Sequence, residues 1–300
     1  MKYIQDLSDE QEEYYFLELS LTSQLYNKYV AEVNKQLEKV KDENNTLLAS
    51  LIALISSLGD ILNLDTDKLN NIEKQINNEI DKFIKNQKES EIRNIKNIVQ
   101  NVIKEEFKVN NYLQSIGLED FQIQNISENE IMDIVNAKIN NKTFEDRIND
   151  NKESIGTMIL ANLSLFLAGD LTREKLLIEL EKNFKLNDYM TSRLGNNEIM
   201  RNLVRASELW KQKAGIEKEM YCSVLEANTC SVCMGLHGTI YDVNDKNKPV
   251  IPMHVRCKCK YITIPNDNWK NNTGEIKSLE DIMESDDYGI WRYGCIWKGI

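Results

Sequence analysis

The sequence predicts a mainly α protein: a long helical hairpin, a helical body and a small C-terminal α+β module with three strands and Cys/His side chains. Two observations predict this fold. All three prolines of the 300-residue chain lie at or after Pro249, and the preceding stretch has helical periodicity. Five of the six cysteines and both histidines fall in residues 220–265. We therefore predict an arm at 1–126, a helical core at 127–218, a Cys/His module at 219–268 and a tail at 269–300.

The first long helix is predicted from a heptad seam in which apolar residues recur at steps of three and four, with Asn44 as its polar position. A seam of this kind is normally buried lengthwise against another helix. It consists of Tyr26, Val30, Val33, Leu37, Val40, Asn44, Leu47, Leu51, Leu54, Leu58 and Ile61. Residues 1–18, which are acidic with interleaved aromatics, are interpreted as a solvated helix start.

A second helix is predicted to begin at the good N-cap residues of Asp65–Asp67 and to pair with the first as an antiparallel hairpin. Its pattern allows a break near Asn86, and residues 108–126 are predicted to be irregular, with Gly117 as a stop. The apolar stripe of this helix contains Leu69, Ile72, Ile76, Ile80, Phe83, Ile92, Ile95, Val99, Val102 and Ile103.

Four helices are predicted in the core segment. The first opens with a capping box at Ser127–Glu130, and the second closes at Gly169, a residue type suited to the position after a helix end. Gly195 is a candidate break in the fourth. The predicted helices cover about 127–139, 155–167, 171–184 and 188–214, and the predicted strands of the module are Met220–Leu225, Thr239–Asp242 and Val255–Ile264.

The Cys/His module has the ligand spacing of a metal site. Cys230 and Cys233 form a C-x-x-C pair, and about twenty residues later the chain reads H-x-x-C-x-C from His254. In a strand, Cys257 and Cys259 would point to the same side. Thiolates with an imidazole suit a closed tetrahedral zinc site. Five candidates compete for four positions: Cys230, Cys233, His254 and Cys257 are favoured, and Cys259 is the rival.

Two other interpretations of these residues stay open at this point. The cysteines could be ordinary core residues or a disulfide pair. His237 lies between the C-x-x-C pair and Gly238 and is interpreted as a turn residue. Cys222 and Cys295 stand alone in the sequence and are interpreted as core or exposed thiols.

Composition and charge restrict the possible partners. The net charge of −11 argues against general wrapping of DNA, which needs clustered cations. Residues 244–270 nevertheless form a local basic patch that could touch DNA or an acidic protein surface. No signal peptide or membrane-spanning run is recognised, so we expect no membrane association and a reducing cytoplasm, where clustered cysteines favour metal. The patch contains Lys246, Lys248, Arg256, Lys258, Lys260 and Lys270 against Asp245 and Asp267.

Two sets of motifs carry a resemblance to a known family. The first is the C-x-x-C of Cys230–Cys233, then Gly238, then Pro-x-His-x-x-Cys-x-Cys at 252–259; the second is Phe144–Ile148, Gly169 and the Arg-x-x-Glu of 205–208. In this order they resemble the phage head-morphogenesis family, the minor head proteins of Mu-like and related tailed phages. The resemblance covers about residues 140–265. The chain departs from the family pattern at Asn228, Thr229, Ile251 and Lys258, which leaves every potential ligand in place.

The resemblance implies a structural, non-enzymatic role. Members of the family enter the procapsid, associate with the portal or the inner shell, and aid head assembly and DNA packaging or ejection. We therefore expect a virion protein near the portal vertex, in the host cytoplasm during assembly, with the portal or major capsid protein as partner. Arg205 and Glu208, three apart on one helix, are predicted to tether that helix to the module.

The alternative is a phage-delivered enzyme or toxin-like effector in which a Cys–His pair supplies nucleophile and base. The sequence has no Gly-rich phosphate loop and no paired acidic motif, and a closed four-ligand site leaves no open position for chemistry.

The aromatic-rich end of the tail, Tyr288–Trp297, would either fold back on the body or dock on a partner.

Overall fold

The computed structural model describes residues 7–57, 66–224 and 229–285. The mainly α fold with a small C-terminal sheet is confirmed. No helix in the described ranges has an apolar stretch that could cross a bilayer. The elements in chain order are α1 (Asp9–Ser57), α2 (Thr66–Ser115), α3 (Glu128–Val135), α4 (Phe144–Leu167), α5 (Arg173–Lys213), β1 (Lys218–Cys222), α6 (Ser231–Leu236), β2 (Ile240–Asp242), β3 (Lys260–Ile264) and α7 (Leu279–Glu284).

The described residues group into two compact units, and α1, α2 and α5 contribute to both. The first unit draws on Met1–Val30, Ile98–Asn136 and Asn196–Ile300, and the second on Ala31–Asn97 and Ala137–Gly195. This grouping by spatial contact does not follow the predicted segment boundaries at 126, 218 and 268.

The second unit packs parts of α1, α2, α4 and α5 around an aliphatic core. The two long helices run antiparallel, because Ser50 donates to Glu79 at 2.8 Å and Gln87 donates to Asn44 at 3.3 Å. The predicted helical hairpin is therefore present here. The core side chains are Leu47, Leu51, Ile55, Ile76, Ile80, Ile155, Ile159, Leu163, Phe166, Leu176, Leu180 and Phe184.

The buried line of α1 matches the predicted seam only in part. Leu25 and Tyr29 are buried, whereas the predicted Tyr26 and Val30 are half-buried. From Val33 onward the line matches at Val40, Asn44, Leu47 and Leu51. The predicted Leu37 and Leu54 are half-buried, and their neighbours Gln36 and Ile55 are buried instead. An α-helix drifts by about 20° per heptad against a strict 3.5-residue repeat, so adjacent positions exchange roles along a helix of this length. Leu58 and Ile61 lie outside the described residues.

Three helices are longer than the sequence pattern indicated. α2 passes Asn86 without a break and includes residues 108–115, predicted to be irregular, where Asn110 and Asn111 are buried. α4 begins at Phe144, because Thr143 and Asp146 form a capping box. α5 is one helix where two were predicted.

Gly195 does not break α5. A Cβ built at Gly195 would lie 2.7 Å from Cγ1 of Val33. The glycine therefore permits close approach of α1 and α5 in the second unit. In contrast to the three longer helices, α3 is shorter than predicted, because it ends at Val135 and not at Ile139.

The sheet of the first unit has the order β2-β1-β3 with antiparallel neighbours. Met220 pairs with Ile240 on one side and with Ile262 on the other. β3 begins at Lys260 and not at Val255, so the cysteines predicted to lie on this strand precede it. β1 ends at Cys222, and Leu225 lies outside the described residues.

One face of the start of α1 is buried, which corrects the interpretation of this segment as a solvated helix start. Tyr14 packs edge-on against Trp269 with ring centroids 5.0 Å apart, and the Trp269 indole donates to the Leu113 carbonyl at 2.8 Å. The Tyr15 hydroxyl lies 3.1 Å from Sγ of Cys222. All of these partners are far away in sequence, which is why local polarity gave the wrong interpretation.

Candidate metal centre

The C-x-x-C pair is brought together by the start of α6. Cys230 is the N-cap of this helix, and the backbone N–H of Cys233 donates to Cys230 Sγ at 3.4 Å. Cys233 is buried and Cys230 is half-buried. The helix start therefore does what a tight turn was predicted to do, because it places two sulfurs on one side of the chain.

His254 faces this pair. Its Nε2 lies 3.4 Å from Cys230 Sγ and 3.5 Å from Cys233 Sγ. Its Nδ1 lies 3.0 Å from the carbonyl oxygen of Val255. With Nδ1–H donating to that carbonyl, the Nε2 lone pair is left as an acceptor or a metal ligand.

Cys257 and Cys259 complete the cluster from the segment before β3. Both are buried, and their sulfurs and that of Cys233 all lie within 4.8 Å of one another. The ligand atoms of Cys230, Cys233 and His254 meet the same limit. All five predicted ligands therefore gather at one place, as two sets of three that share Cys233, and no single set in the described part of the chain contains four.

The donor set fits a metal ion. Zinc–ligand bonds of about 2.3 Å to sulfur and about 2.0 Å to nitrogen in a tetrahedron place sulfur and nitrogen about 3.5 Å apart. The two Sγ–Nε2 distances, 3.4 and 3.5 Å, agree with that spacing. The cluster can therefore hold a metal ion.

The electrostatics favour a thiolate at Cys257. The hydrogen bond from Cys259 lowers the pKa of Cys257 to about 5, with further help from backbone N–H groups and the charge of His254. The same bond raises the pKa of Cys259 far above its usual range. The Val255 carbonyl raises the pKa of His254. Because a thiolate is the form that binds metal, Cys257 is prepared for that role.

Tyr221 supports the cluster from β1. Its hydroxyl donates to Cys233 Sγ at 3.5 Å and lies 3.4 Å from Met253 Sδ. Burial raises the pKa of this phenol, so it remains a donor. The sequence contained no signal for this contact.

The other candidate residues stay outside the cluster. His237 ends α6, and its Nδ1 accepts the Ser223 N–H at 3.1 Å, so it is a turn residue as predicted. Cys222 is a buried thiol next to Tyr15. Cys295 lies outside the described residues.

Two cations of the predicted basic patch are held by other groups of the protein. Lys248 bonds Glu219 and lies 3.5 Å from Glu208, and Lys260 is buried with its amine donating to the Glu18 carbonyl at 3.3 Å. Carboxylates therefore neutralise the charge of Lys248, and burial keeps the Lys260 amine away from a phosphate. Lys246, Arg256, Lys258 and Lys270 remain exposed.

Of the two residues predicted to tether α5 to the module, Glu208 makes that contact. Arg205 donates to the Ile134 carbonyl at 3.4 Å, whereas Glu208 pairs with Lys248 in the module. α5 is thus connected to the module through Glu208.

Sequence reasoning missed a buried ionic cluster behind the sheet. Lys211 and Glu219 pair at 3.0 Å with both side chains fully buried, and Lys211 also donates to the Tyr261 carbonyl at 2.7 Å. The Glu18 carboxylate accepts the Thr263 N–H at 2.9 Å. Burial raises the pKa of nearby Glu106 to about 7. These residues come from α1, α2, α5 and two strands, so no local pattern could indicate them.

A cleft of about 510 Å³ opens beside the Cys/His cluster. His254 is exposed at this cleft, so a metal ion could enter from solvent without a change of fold. Thiolate and imidazole donors together suit a borderline or soft metal.

Comparison of the chain with protein-family models, with curated proteins and with solved structures found no match.

Proposed function

We propose that this protein is a non-enzymatic minor structural protein of a tailed-phage head. The observation that carries the proposal is the residue-by-residue resemblance to the head-morphogenesis family over about residues 140–265. The gathering of Cys230, Cys233, His254, Cys257 and Cys259 at one place supports it, because these are the residues that the family motif specifies.

Zinc is the metal we propose for the cluster. Cys230, Cys233, His254 and Cys257 are its proposed ligands, with Cys259 as the rival for one position. A zinc held by four protein ligands supplies folding energy and has no open position for chemistry. Its role here is to join α6 to the segment before β3 in a module with a small core.

The proposed location is the inside of the head near the portal vertex, with the portal or major capsid protein as partner. The α1–α2 hairpin offers a long outer face for such a contact. Packaged DNA remains a weaker proposed partner, because Lys248 and Lys260 are occupied by carboxyl and carbonyl groups of the protein itself.

Particles purified with and without this gene test the proposal. We expect heads that lack the protein to assemble or deliver DNA poorly, and we expect mass spectrometry of complete particles to detect the protein in few copies. Complete absence of the protein from wild-type particles would overturn the proposed role.

One observation favours the enzyme alternative. Cys230 Sγ and Cys233 Sγ lie 3.4 and 3.5 Å from His254 Nε2, and a thiol next to an imidazole can act as a nucleophile. The discriminating experiment measures hydrolase and transferase activity in the wild type and in His254→Ala. Activity that His254→Ala abolishes while metal stays bound would replace the structural proposal with the enzyme.

A further inference from the structure

The ligands of the Cys/His cluster form two sets of donors, and a single zinc ion does not use both sets completely. The first set is Cys230, Cys233 and His254, and the second is Cys233, Cys257 and Cys259; within each set all ligand atoms lie within 4.8 Å of one another. A tetrahedral zinc takes its fourth ligand from the other set and leaves one cysteine, Cys259 in the proposed assignment, without a metal. The cluster therefore has donors for one more metal position than zinc would occupy.

Cys233 lies at the centre of this arrangement, because it is the member that both sets share among the described residues. Its side chain is buried, and its Sγ accepts a hydrogen bond from the Tyr221 hydroxyl at 3.5 Å. A thiolate sulfur has several lone pairs, so it can accept this hydrogen bond and also bind a metal ion on each side. Cys233 is thus suited to bridge two neighbouring metal ions.

The kind of donor at the cluster selects a soft metal ion. All of its thiols and its imidazole line the neighbouring cleft, and none of the described residues that line this cleft is a carboxylate, so cations that prefer oxygen ligands are disfavoured. A thioether lies at the edge of the cluster, since the Tyr221 hydroxyl is 3.4 Å from Met253 Sδ. Thiolate and thioether sulfurs favour Cu(I), which is also the state of copper under conditions that keep cysteines reduced.

Cu(I) fits each set of donors without a further ligand. This ion is stable with two or three soft ligands, whereas zinc requires four. Bonds of about 2.3 Å to sulfur and about 2.0 Å to nitrogen in a trigonal plane place the ligand atoms about 3.7–4.0 Å apart, inside the 4.8 Å limit that both sets meet. The distances from His254 Nε2 to Cys230 Sγ and Cys233 Sγ, 3.4 and 3.5 Å, are about 0.2–0.3 Å shorter than the trigonal value, a difference that a small rotation of the exposed His254 side chain removes.

Charge also favours a pair of Cu(I) ions over a pair of zinc ions. Two Cu(I) ions together carry the same charge as one Zn²⁺ ion. Their mutual repulsion is about a quarter of the repulsion between two Zn²⁺ ions at the same distance. Two monovalent ions can therefore share the Cys233 sulfur at a much lower electrostatic cost than two divalent ions.

We propose that the Cys/His cluster binds two Cu(I) ions, which share the Cys233 thiolate as a bridge. Cys230 and His254 complete the ligands of the first ion, and Cys257 and Cys259 complete those of the second. When copper replaces zinc, two Cu(I) ions enter, one Zn²⁺ ion leaves and Cys259 releases its thiol proton to solvent, so the total charge balances. The copper site goes beyond the proposed function and rests on the cluster alone, not on the head-protein role.

The copper site is tested by titrating the full-length, zinc-loaded protein with Cu(I) under anaerobic conditions. A chromogenic Cu(I) chelator in the solution keeps weak surface sites empty, and elemental analysis gives copper and zinc per chain. Cys259→Ser removes a ligand of the second position only, and His254→Ala removes a ligand of the first position only. The matched control is Cys222→Ser, because Cys222 is a thiol of similar burial, 2% exposed against 4% for Cys259, and belongs to neither set.

We expect the wild type and Cys222→Ser to take up about two copper ions per chain and to release their zinc, and we expect each ligand variant to take up about one. X-ray absorption of the copper-loaded wild type should show scattering of one copper ion by the other, because a shared sulfur holds the two ions close together. One copper ion or none per chain in the wild type overturns the inference, and so does a folded Cys259→Ser variant that still takes up two. If circular dichroism shows that Cys259→Ser is unfolded, His254→Ala decides the outcome in its place, since it changes an exposed side chain.

The copper site and the proposed function fail in different experiments. Copper uptake is measured on the purified protein without particles, and incorporation into heads is measured without copper. A wild type that is present in particles but takes up fewer than two Cu(I) ions excludes the copper site and leaves the head-protein role intact. A wild type that takes up two Cu(I) ions but is absent from particles excludes the head-protein role and leaves the copper site intact.

Discussion

Replacing Cys233 with Ser should remove the metal, whereas the same change at Cys222 should not. Both thiols are almost completely buried, at 1% and 2% exposure, so both changes place a hydroxyl in a similar environment. Cys233 belongs to both sets of three ligand atoms, and Cys222 belongs to neither. The pair of variants therefore separates loss of a ligand from loss of packing.

The magnitudes follow from this geometry. Burying a hydroxyl without a full set of partners costs about 1–3 kcal/mol in either variant. Cys233 is the ligand that the two sets have in common. Without it, Cys230 and His254 are no longer linked to Cys257 and Cys259 through a common ligand. Since losing an outer-shell partner alone weakens metal affinity about 10–100-fold, loss of the shared ligand should exceed about 100-fold. Structural zinc contributes on the order of 10 kcal/mol to the folding of small modules, so the sheet region should loosen as well.

Elemental analysis of the purified protein measures the first effect, and hydrogen exchange of β1, β2 and β3 with and without a chelator measures the second. We expect about one zinc per chain in the wild type and in Cys222→Ser, and almost none in Cys233→Ser. The reasoning is refuted if Cys233→Ser retains wild-type zinc, or if the zinc-free wild type shows the same protection of the sheet.

Two further predictions concern buried charges. Lys152 pairs with Glu91 at 2.8 Å, and both side chains are 1% exposed. Lys152→Met should therefore lower the free energy of unfolding, measured in urea, by about 3–5 kcal/mol, and adding Glu91→Leu should restore much of the loss. A loss below about 1 kcal/mol in the single variant would contradict this. Burial raises the pKa of Glu106 to about 7, above its unfolded value, so its charge destabilises the fold as pH rises through 7. Glu106→Gln should therefore stabilise the protein by up to about 3 kcal/mol near pH 8 and change little near pH 4, as measured by unfolding at both pH values; equal effects at the two pH values would exclude this explanation.

Properties that depend on short stretches of chain could be predicted from the sequence. The capping box of Ser127 and Glu130 is present, and Gly169 and Gly215 end their helices with φ values of 82° and 68°. Cys230 lies close to Cys233, and Cys257 lies close to Cys259, because each pair spans only a few residues; the tertiary structure then brings the two pairs and His254 together. Helix caps, left-handed glycines and ligand spacing depend on only a few neighbouring residues, so they can be predicted from the sequence alone.

Tertiary structure decided the features that depend on residues far apart in the chain. It buried Tyr14 against Trp269, selected Leu25 and Tyr29 for the core side of α1, and kept Gly195 inside a continuous helix. It also turned Lys248 from a surface cation into the half-buried partner of Glu219. Helical periodicity defines a stripe only to within a residue, and a polar residue can be buried wherever the fold supplies a partner. Both outcomes depend on which side chains from distant parts of the chain pack against a given residue, and the sequence near that residue does not contain this information.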